Sequence, residues 1–145
     1  MSRKIDIFLD FSGRKEPGMP ETEIRIVLTT VGSPEEAAVL ARKLRGENLA
    51  ACVTILPGAR SFYFWDGEEC DDTETILLIK TSRSVLSKLM KRLPLLHPYD
   101  TPEVIVIAPE AVGKRYCRWI LNTLSSREKI GSIFLKAEEK QSKKT

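Results

Sequence analysis

The spacing of apolar residues divides the chain into strand-like and helix-like segments. Runs rich in β-branched and other apolar residues occupy residues 23–31, 49–65, 73–81 and 103–108, and they predict four strands. The fourth run is apolar almost throughout, which is typical of a strand that is buried on both faces or lies inside a sheet. Asp66-Gly67 separates the second run from the third. Because this pair is a favoured hairpin turn, we expect those two strands to pair directly.

Between and after these runs, apolar residues recur every three or four positions and predict helices. The first helix has a clear start signal, with Ser33 as the N-cap and Glu36 at the capping-box position three residues later. The second helix follows the third strand, and Pro94 should end or kink it because the proline ring clashes with the preceding turn. A third helix is predicted over roughly residues 114–124.

The predicted order is therefore βαββαβ followed by an additional C-terminal helix. Split β-α-β units of this kind form a four-stranded antiparallel sheet with helices on one face, so the expected fold class is α+β, ferredoxin-like. The other face of the sheet would then be bare and apolar, which argues for assembly of several chains. We expect an N-terminal extension at residues 1–22, the domain at 23–125 and a basic tail at 126–145.

The second predicted strand is longer than a domain of this size needs. Fully extended, it would span about 55 Å, whereas the radius of gyration of such a chain is near 15 Å. The far end of the hairpin should therefore project beyond its own domain and contact another subunit. The predicted oligomer contacts are the aromatic residues Phe62, Tyr63, Phe64 and Trp65 of this arm, together with Trp119 of the last helix.

Composition and charge narrow the function classes. No apolar stretch approaches the ~18–20 residues that span a bilayer, and no cleavable leader pattern precedes the first strand, so we expect a cytoplasmic protein without a membrane partner. The net charge of +3 comes from residues 126–145, which hold six basic and three acidic residues. The rest of the chain is balanced, which argues against a nucleic-acid partner. The three cysteines lack CxxC spacing and are expected to be free thiols.

Six short motifs follow one another along roughly residues 24–124. They are Leu-Ala-Ala-Cys-Val-Thr-Ile-Leu-Pro-Gly (49–58), Ser-Phe-Tyr-Phe-Trp-Asp-Gly (61–67), Ile-Lys-Thr (79–81), His-Pro-Tyr (97–99), Pro-Glu-Val (102–104) and Tyr-x-x-Trp (116–119). In this order they resemble the CutA family, the divalent-cation-tolerance proteins. The resemblance implies a ferredoxin-like fold assembled as a homotrimer, similar in architecture to the PII signalling proteins. It also implies a link to tolerance of copper and other divalent metals, with no established catalytic activity.

Three residues are candidate ligands for copper or another divalent metal ion: Cys52, His97 and Glu103. His97 is the single histidine, and its place between a helix end and a proline-rich loop suits either metal ligation or a purely structural hydrogen bond. Cys52 lies in an apolar strand, where a free cysteine is more often a small buried hydrophobe, although its thiolate would suit copper. One histidine cannot complete a site alone, so a neighbouring subunit would have to add ligands.

Lys80 ends an otherwise apolar strand and needs a carboxylate or a bound anion if it is buried. One interpretation is an ion pair with Glu74 or Glu103, within or between subunits. The other is a cleft at the subunit boundary that binds a small anionic ligand. The candidate cleft residues are Tyr63, Trp65, Glu74, Lys80, His97, Tyr99 and Glu103.

Six carboxylates crowd into residues 66–74 around Cys70. Hard cations would collect there only weakly. The preferred interpretation is a solvated hairpin tip whose charges repel one another.

The preferred hypothesis is a non-catalytic, cytoplasmic homotrimer that binds copper or another divalent metal ion in metal homeostasis, with any signal passing to a protein partner. The alternative is a PII-like signalling or interaction module that binds a small anionic ligand at the intersubunit cleft. An enzyme that uses His97 and Glu103 as acid and base is disfavoured, because no nucleophile, phosphate loop or metal-hydrolase motif accompanies them.

Overall fold

The structure, a computed structural model, describes residues 22–126 as one sheet packed against helices. The elements are β1 (Ile24–Val31), α1 (Pro34–Gly46), β2 (Cys52–Trp65), β3 (Glu68–Ser82), α2 (Arg83–Leu96), β4 (Ile105–Ile107) and α3 (residues 114–126). This is the βαββαβ order with an additional helix, so the predicted α+β class is confirmed. Apart from residues 22 and 126, the predicted N-terminal extension and basic tail lie outside the described residues.

The four strands pair in the order β2-β3-β1-β4, and all neighbours are antiparallel. This is the ferredoxin-like topology that the sequence predicts. Helices α1 and α2 pack on one face of the sheet, where Val27, Leu77 and Ile79 are fully buried. Helix α3 completes this core through Ile120 and Leu124, whereas Tyr116 and Trp119 stack on each other with their rings 5.8 Å apart and stay exposed.

The opposite face of the sheet is largely apolar and remains half-buried or exposed. Cross-strand register places its members side by side, because residues directly opposite each other on antiparallel strands point to the same face. We call this surface the bare face. Its residues are Ile26, Leu28, Cys52, Thr54, Leu56, Ile76, Leu78, Lys80, Ile105 and Ile107.

Strand β4 corrects the prediction of a buried or interior strand. Among the strands of residues 22–126 it pairs only with β1, and it forms an edge of their sheet. Ile105, Val106 and Ile107 are 47%, 38% and 41% exposed. A run of β-branched residues is typical both of a strand buried in its own domain and of one that another chain covers, so the sequence pattern did not distinguish the two.

The helix ends follow the sequence signals in one case and depart from them in the other. The side chain of Ser33 accepts a hydrogen bond from the backbone N–H of Glu36 at 3.2 Å, as predicted for the cap of α1. Pro94, in contrast, does not end α2, which continues to Leu96. Proline in the last turn removes only one backbone donor, and the N–H of His97 still bonds the carbonyl of Leu93 at 3.0 Å.

Strands β2 and β3 form the long hairpin that the sequence predicts. Its turn residues Asp66 and Gly67 both have positive φ, 50° and 78°, as a tight hairpin turn requires. The last pair between β1 and β3 is Val31 with Thr75, so residues 59–74 continue as two strands, with no third strand from the described part of the chain beside them. We call residues 59–74 the projecting hairpin, and Phe62, Phe64 and Trp65 are exposed along it.

Candidate functional site

The imidazole of His97 is held by two hydrogen bonds immediately after α2. Its Nδ1 atom accepts from the backbone N–H of Tyr99 at 3.0 Å. Nε2 lies 3.0 Å from the hydroxyl of Thr29, and it carries the proton because Nδ1 is the acceptor. The residue is only 8% exposed, and this burial lowers the pKa of His97, outweighing the opposing influences of the Thr30 backbone and of nearby Glu36. The ring is therefore neutral, with both nitrogens engaged.

Tyr99 connects this histidine to the base of the projecting hairpin. Its hydroxyl donates to one carboxylate oxygen of Glu74 at 3.3 Å, and the other oxygen accepts from the hydroxyl of Ser61 at 2.6 Å. Burial and the negative charge of Glu74 raise the pKa of Tyr99. The phenol therefore remains a hydrogen-bond donor at neutral pH.

Glu103 lies on the other side of the sheet from His97. The hydroxyl of Thr30 donates to its carboxylate at 3.3 Å, whereas His97 contacts Thr29. Successive residues of a strand point to opposite faces. The structure consequently separates these two predicted metal ligands by the thickness of the sheet.

Cys52, the third predicted ligand, begins β2 on the bare face opposite Lys80. Thr30, the partner of Glu103, lies opposite Ile76, so Cys52 is four residues of β3 away, or about 13 Å. Among residues 22–126, no three His, Cys, Asp or Glu side chains are grouped so that they could hold a metal ion. The three predicted ligands are thus not brought together within one subunit.

Lys80 pairs with neither of the carboxylates considered from the sequence. Its ammonium donates to the hydroxyl of Thr54 at 2.8 Å and lies 5.9 Å from the ring centroid of Tyr116. Glu74 is six residues further along β3, about 20 Å away, and is bonded instead to Ser61 and Tyr99. Lys80 and Glu74 therefore do not pair within a subunit. Their side chains lie on the same face of β3 but too far apart along the strand.

The remaining cleft candidates share one face of the hairpin but are spread along its length. Tyr63 and Trp65 lie opposite Cys70 and Glu68, on the same face of β3 as Glu74, and Glu68 is about 20 Å from Glu74 along the strand. Tyr99 reaches this face through its hydroxyl. A single subunit thus divides the predicted cleft, with Lys80 at the far end of the bare face, His97 on the helix side and the other residues along the hairpin.

Most of the acidic residues near Cys70 are exposed, as the interpretation of a solvated tip expects, and two of them also have side-chain partners on the opposite strand. β3 begins at Glu68, so most of them stand in a strand with partners across the hairpin. Asp71 forms an ion pair with Arg60 at 2.6 Å, and the hydroxyl of Tyr63 donates to Asp72. That hydrogen bond raises the pKa of Tyr63. Sequence reasoning missed these pairs because it began the strand at residue 73.

None of the helices within residues 22–126 combines the length and apolar character that crossing a bilayer requires.

Comparisons with known proteins agree on one family. The model of the CutA1 divalent ion tolerance protein family matches residues 25–123. A divalent-cation tolerance protein CutA of Thermus thermophilus is 46% identical over 96 residues, which cover 66% of this chain and 92% of the relative. A rice protein named CutA 1, chloroplastic, is 38% identical over 117 residues, covering 81% of this chain and 65% of the relative. The solved structure of CutA from Synechococcus elongatus superposes with a TM-score of 0.69 at 38% identity, covering 72% of this chain and 94% of that one.

Proposed function

Because the chain belongs to the CutA1 divalent ion tolerance family, we propose that it acts in tolerance of copper or another divalent metal ion. It does so as a cytoplasmic homotrimer that binds the ion and catalyses no reaction. The Thermus thermophilus relative is named for divalent-cation tolerance and not for a reaction, and this naming supports a binding role.

The observation that carries the proposal is the surface that one subunit leaves uncovered. The bare face is largely apolar along all four strands, and on the edge strand β4 it includes two exposed aliphatic side chains, Ile105 and Ile107. The projecting hairpin adds four exposed aromatic residues beyond the sheet. Contiguous apolar surface of this kind marks a protein interface, and other copies of the chain are the occupant we propose.

The same geometry supports a metal site between subunits rather than inside one. Cys52, His97 and Glu103 are spread over both faces of the sheet, so a complete ligand set requires side chains from a second copy. Cys52 and Glu103 present their side chains on the bare face. His97 has both nitrogens engaged and would join a site only by giving up one hydrogen bond.

The cytoplasmic location is supported by the state of the cysteines. Cys52, Cys70 and Cys117 are all free thiols, as is usual in a reducing compartment. The rice relative carries a chloroplast designation, so the compartment is a property of each protein and not of the family.

Native mass spectrometry of the protein with Cu and Zn under reducing conditions tests both parts of the proposal. We expect a trimer that takes up metal in multiples of three. Cys52→Ser should reduce the uptake, because it removes the soft ligand on the bare face. Cys70→Ser is the matched control, because this cysteine lies in the projecting hairpin and its Sγ contacts the carbonyl of Glu68.

The results can contradict metal binding and trimer assembly independently of each other. A trimer that takes up neither metal would contradict the metal proposal and retain the architecture. A monomer at micromolar concentration would contradict the trimer. Equal losses in the two cysteine variants would remove Cys52 from the ligand set.

A further inference from the structure

The projecting hairpin leaves the sheet at an interruption in β2. Register is regular from Cys52 to Leu56 and resumes at Ala59, so Pro57 and Gly58 lie outside the ladder. Gly58 has a φ of 78°, and Pro57 has no N–H to donate. On the opposite strand, Thr75 is the last residue that β1 supports. The hairpin is therefore joined to the sheet at a point where few backbone hydrogen bonds connect neighbouring strands.

The side chain of Tyr99, which lies outside the hairpin, binds Glu74, the first residue of β3 beyond this junction. Glu74, next to the last supported residue of β3, accepts from the hydroxyl of Tyr99. The same carboxylate accepts from Ser61 on the other strand of the hairpin. Tyr99 thus holds a group that already joins both strands, at the level where the sheet narrows to two.

Tyr99 is itself fixed from the helix side of the sheet. Its backbone N–H donates to Nδ1 of His97, and the two rings lie 5.2 Å apart between centroids. The histidine is anchored in turn on Thr29 of β1. A continuous chain of contacts therefore runs from the centre of the sheet, around its end, to the base of the hairpin.

We propose that Tyr99 is a positioning residue that fixes the orientation of the projecting hairpin relative to the sheet. The residues that follow α2 thereby control an arm that lies outside their own part of the fold. Anything that withdraws the Tyr99 hydroxyl from Glu74 frees the hairpin to pivot at Pro57-Gly58. The inference goes beyond metal tolerance and does not require the trimer, although in a trimer the arm would carry the change to a neighbouring subunit.

Two tyrosine variants provide a matched test. Tyr99 and Tyr63 each donate through their hydroxyl to a carboxylate of β3, Glu74 and Asp72 respectively. Tyr99 lies outside the projecting hairpin, in the loop after α2, whereas Tyr63 lies within the hairpin. Tyr99→Phe should therefore change the orientation of the hairpin, and Tyr63→Phe should leave it unchanged.

Residual dipolar couplings of backbone amides measure the hairpin orientation, and amide hydrogen exchange measures its opening. In Tyr99→Phe we expect altered couplings throughout residues 59–74 and exchange about fivefold faster at the hairpin base, the effect of one lost hydrogen bond. Amides of β1 report whether the sheet is intact. In a protein that already carries Glu74→Ala, adding Tyr99→Phe should cause no further change, because the Tyr99 hydroxyl then has no carboxylate to lose.

Hairpin couplings identical in Tyr99→Phe and the unsubstituted protein would overturn the proposal. Equal changes in Tyr63→Phe and Tyr99→Phe would also overturn it, since both hydroxyls would then act only locally. Oligomeric state is measured on the same samples. A monomeric protein would contradict the proposed trimer, but the hairpin measurements would still test the role of Tyr99.

Discussion

At the scale of single residues, His97 shows how burial and hydrogen bonding determine the chemistry of a side chain. It donates to Thr29 and accepts from the N–H of Tyr99. Protonation would place a second proton on Nδ1, facing that N–H, and would break the contact. The structure therefore favours the neutral imidazole twice, through desolvation and through the fixed donor.

This preference predicts a loss of stability in mild acid. The pKa of His97 is lowered in the folded protein, whereas in the unfolded chain it is about 6.5. As the pH falls, the histidine of the unfolded chain is protonated at a higher pH than that of the folded protein. The free energy of unfolding therefore keeps its full value above about pH 6.5. It falls as pH decreases through 6.5 toward the folded pKa, by at most about 1.4 kcal/mol per pH unit for one proton.

Urea unfolding between pH 7.5 and 5.5, at fixed protein concentration and with chelator, measures this slope. His97→Asn serves as the comparison because it removes the titrating group. We expect a flatter profile in the variant over this range. Parallel profiles would show that other groups cause the dependence. Since the chain has one histidine, its NMR signals report the pKa directly.

At the scale of secondary-structure elements, the hairpin turn depends on backbone conformations that few residues adopt. Gly67 has a φ of 78°, while Gly46 at the end of α1 is not in the left-handed region. At both positions an added Cβ would meet no atom within 4 Å. The two glycines therefore differ in backbone strain and not in available space.

Alanine substitutions at these glycines should have opposite effects. Gly67→Ala places a Cβ on a left-handed residue and should destabilise the hairpin by about 1–2 kcal/mol. Gly46→Ala should stabilise α1 by about 0.5–1 kcal/mol, since glycine is a poor helix former. Hydrogen exchange of amides in each element measures both effects. Slower exchange near the turn of Gly67→Ala would contradict the strain argument.

The same scale shows how much the sequence predicts. Periodicity located each strand and helix of residues 22–126, and the Asp66-Gly67 pair gave the turn, because these signals are local. Contacts such as Tyr99 with Glu74 depend on the register and on the path of a loop, and no local pattern records either. The sequence therefore named Tyr99, Glu74 and Lys80 as candidates, but the hydrogen bonds of Tyr99 to Glu74 and of Lys80 to Thr54 were not predicted.

At the scale of the whole molecule, the described part of one subunit buries only one face of its sheet. Helices α1, α2 and α3 supply the core on that side, while β4 and the bare face keep apolar side chains at the surface. The apolar pattern of residues 103–108 is explained if a second chain supplies the missing cover. This is the reason that a sequence analysis confined to one chain assigned β4 to an interior position.

Two equally exposed aliphatic residues test whether the bare face is the interface of the proposed trimer. Ile105 is 47% exposed on the bare face, and Val39 is 48% exposed on the outer side of α1. In an isolated subunit, glutamate at either position would be solvated and should alter the stability of the fold to a similar, small extent. In a trimer assembled through the bare face, Ile105→Glu buries an unpaired carboxylate in every subunit, at a cost of several kcal/mol.

We therefore expect Ile105→Glu to shift the monomer–trimer equilibrium toward monomer at concentrations where Val39→Glu remains trimeric. Sedimentation equilibrium over a range of concentrations measures the association, and circular dichroism confirms that both variants are folded. If both variants assemble like the unsubstituted protein, the bare face is not the interface. If Val39→Glu dissociates instead, the subunits meet through α1, and the apolar sheet face requires a different occupant.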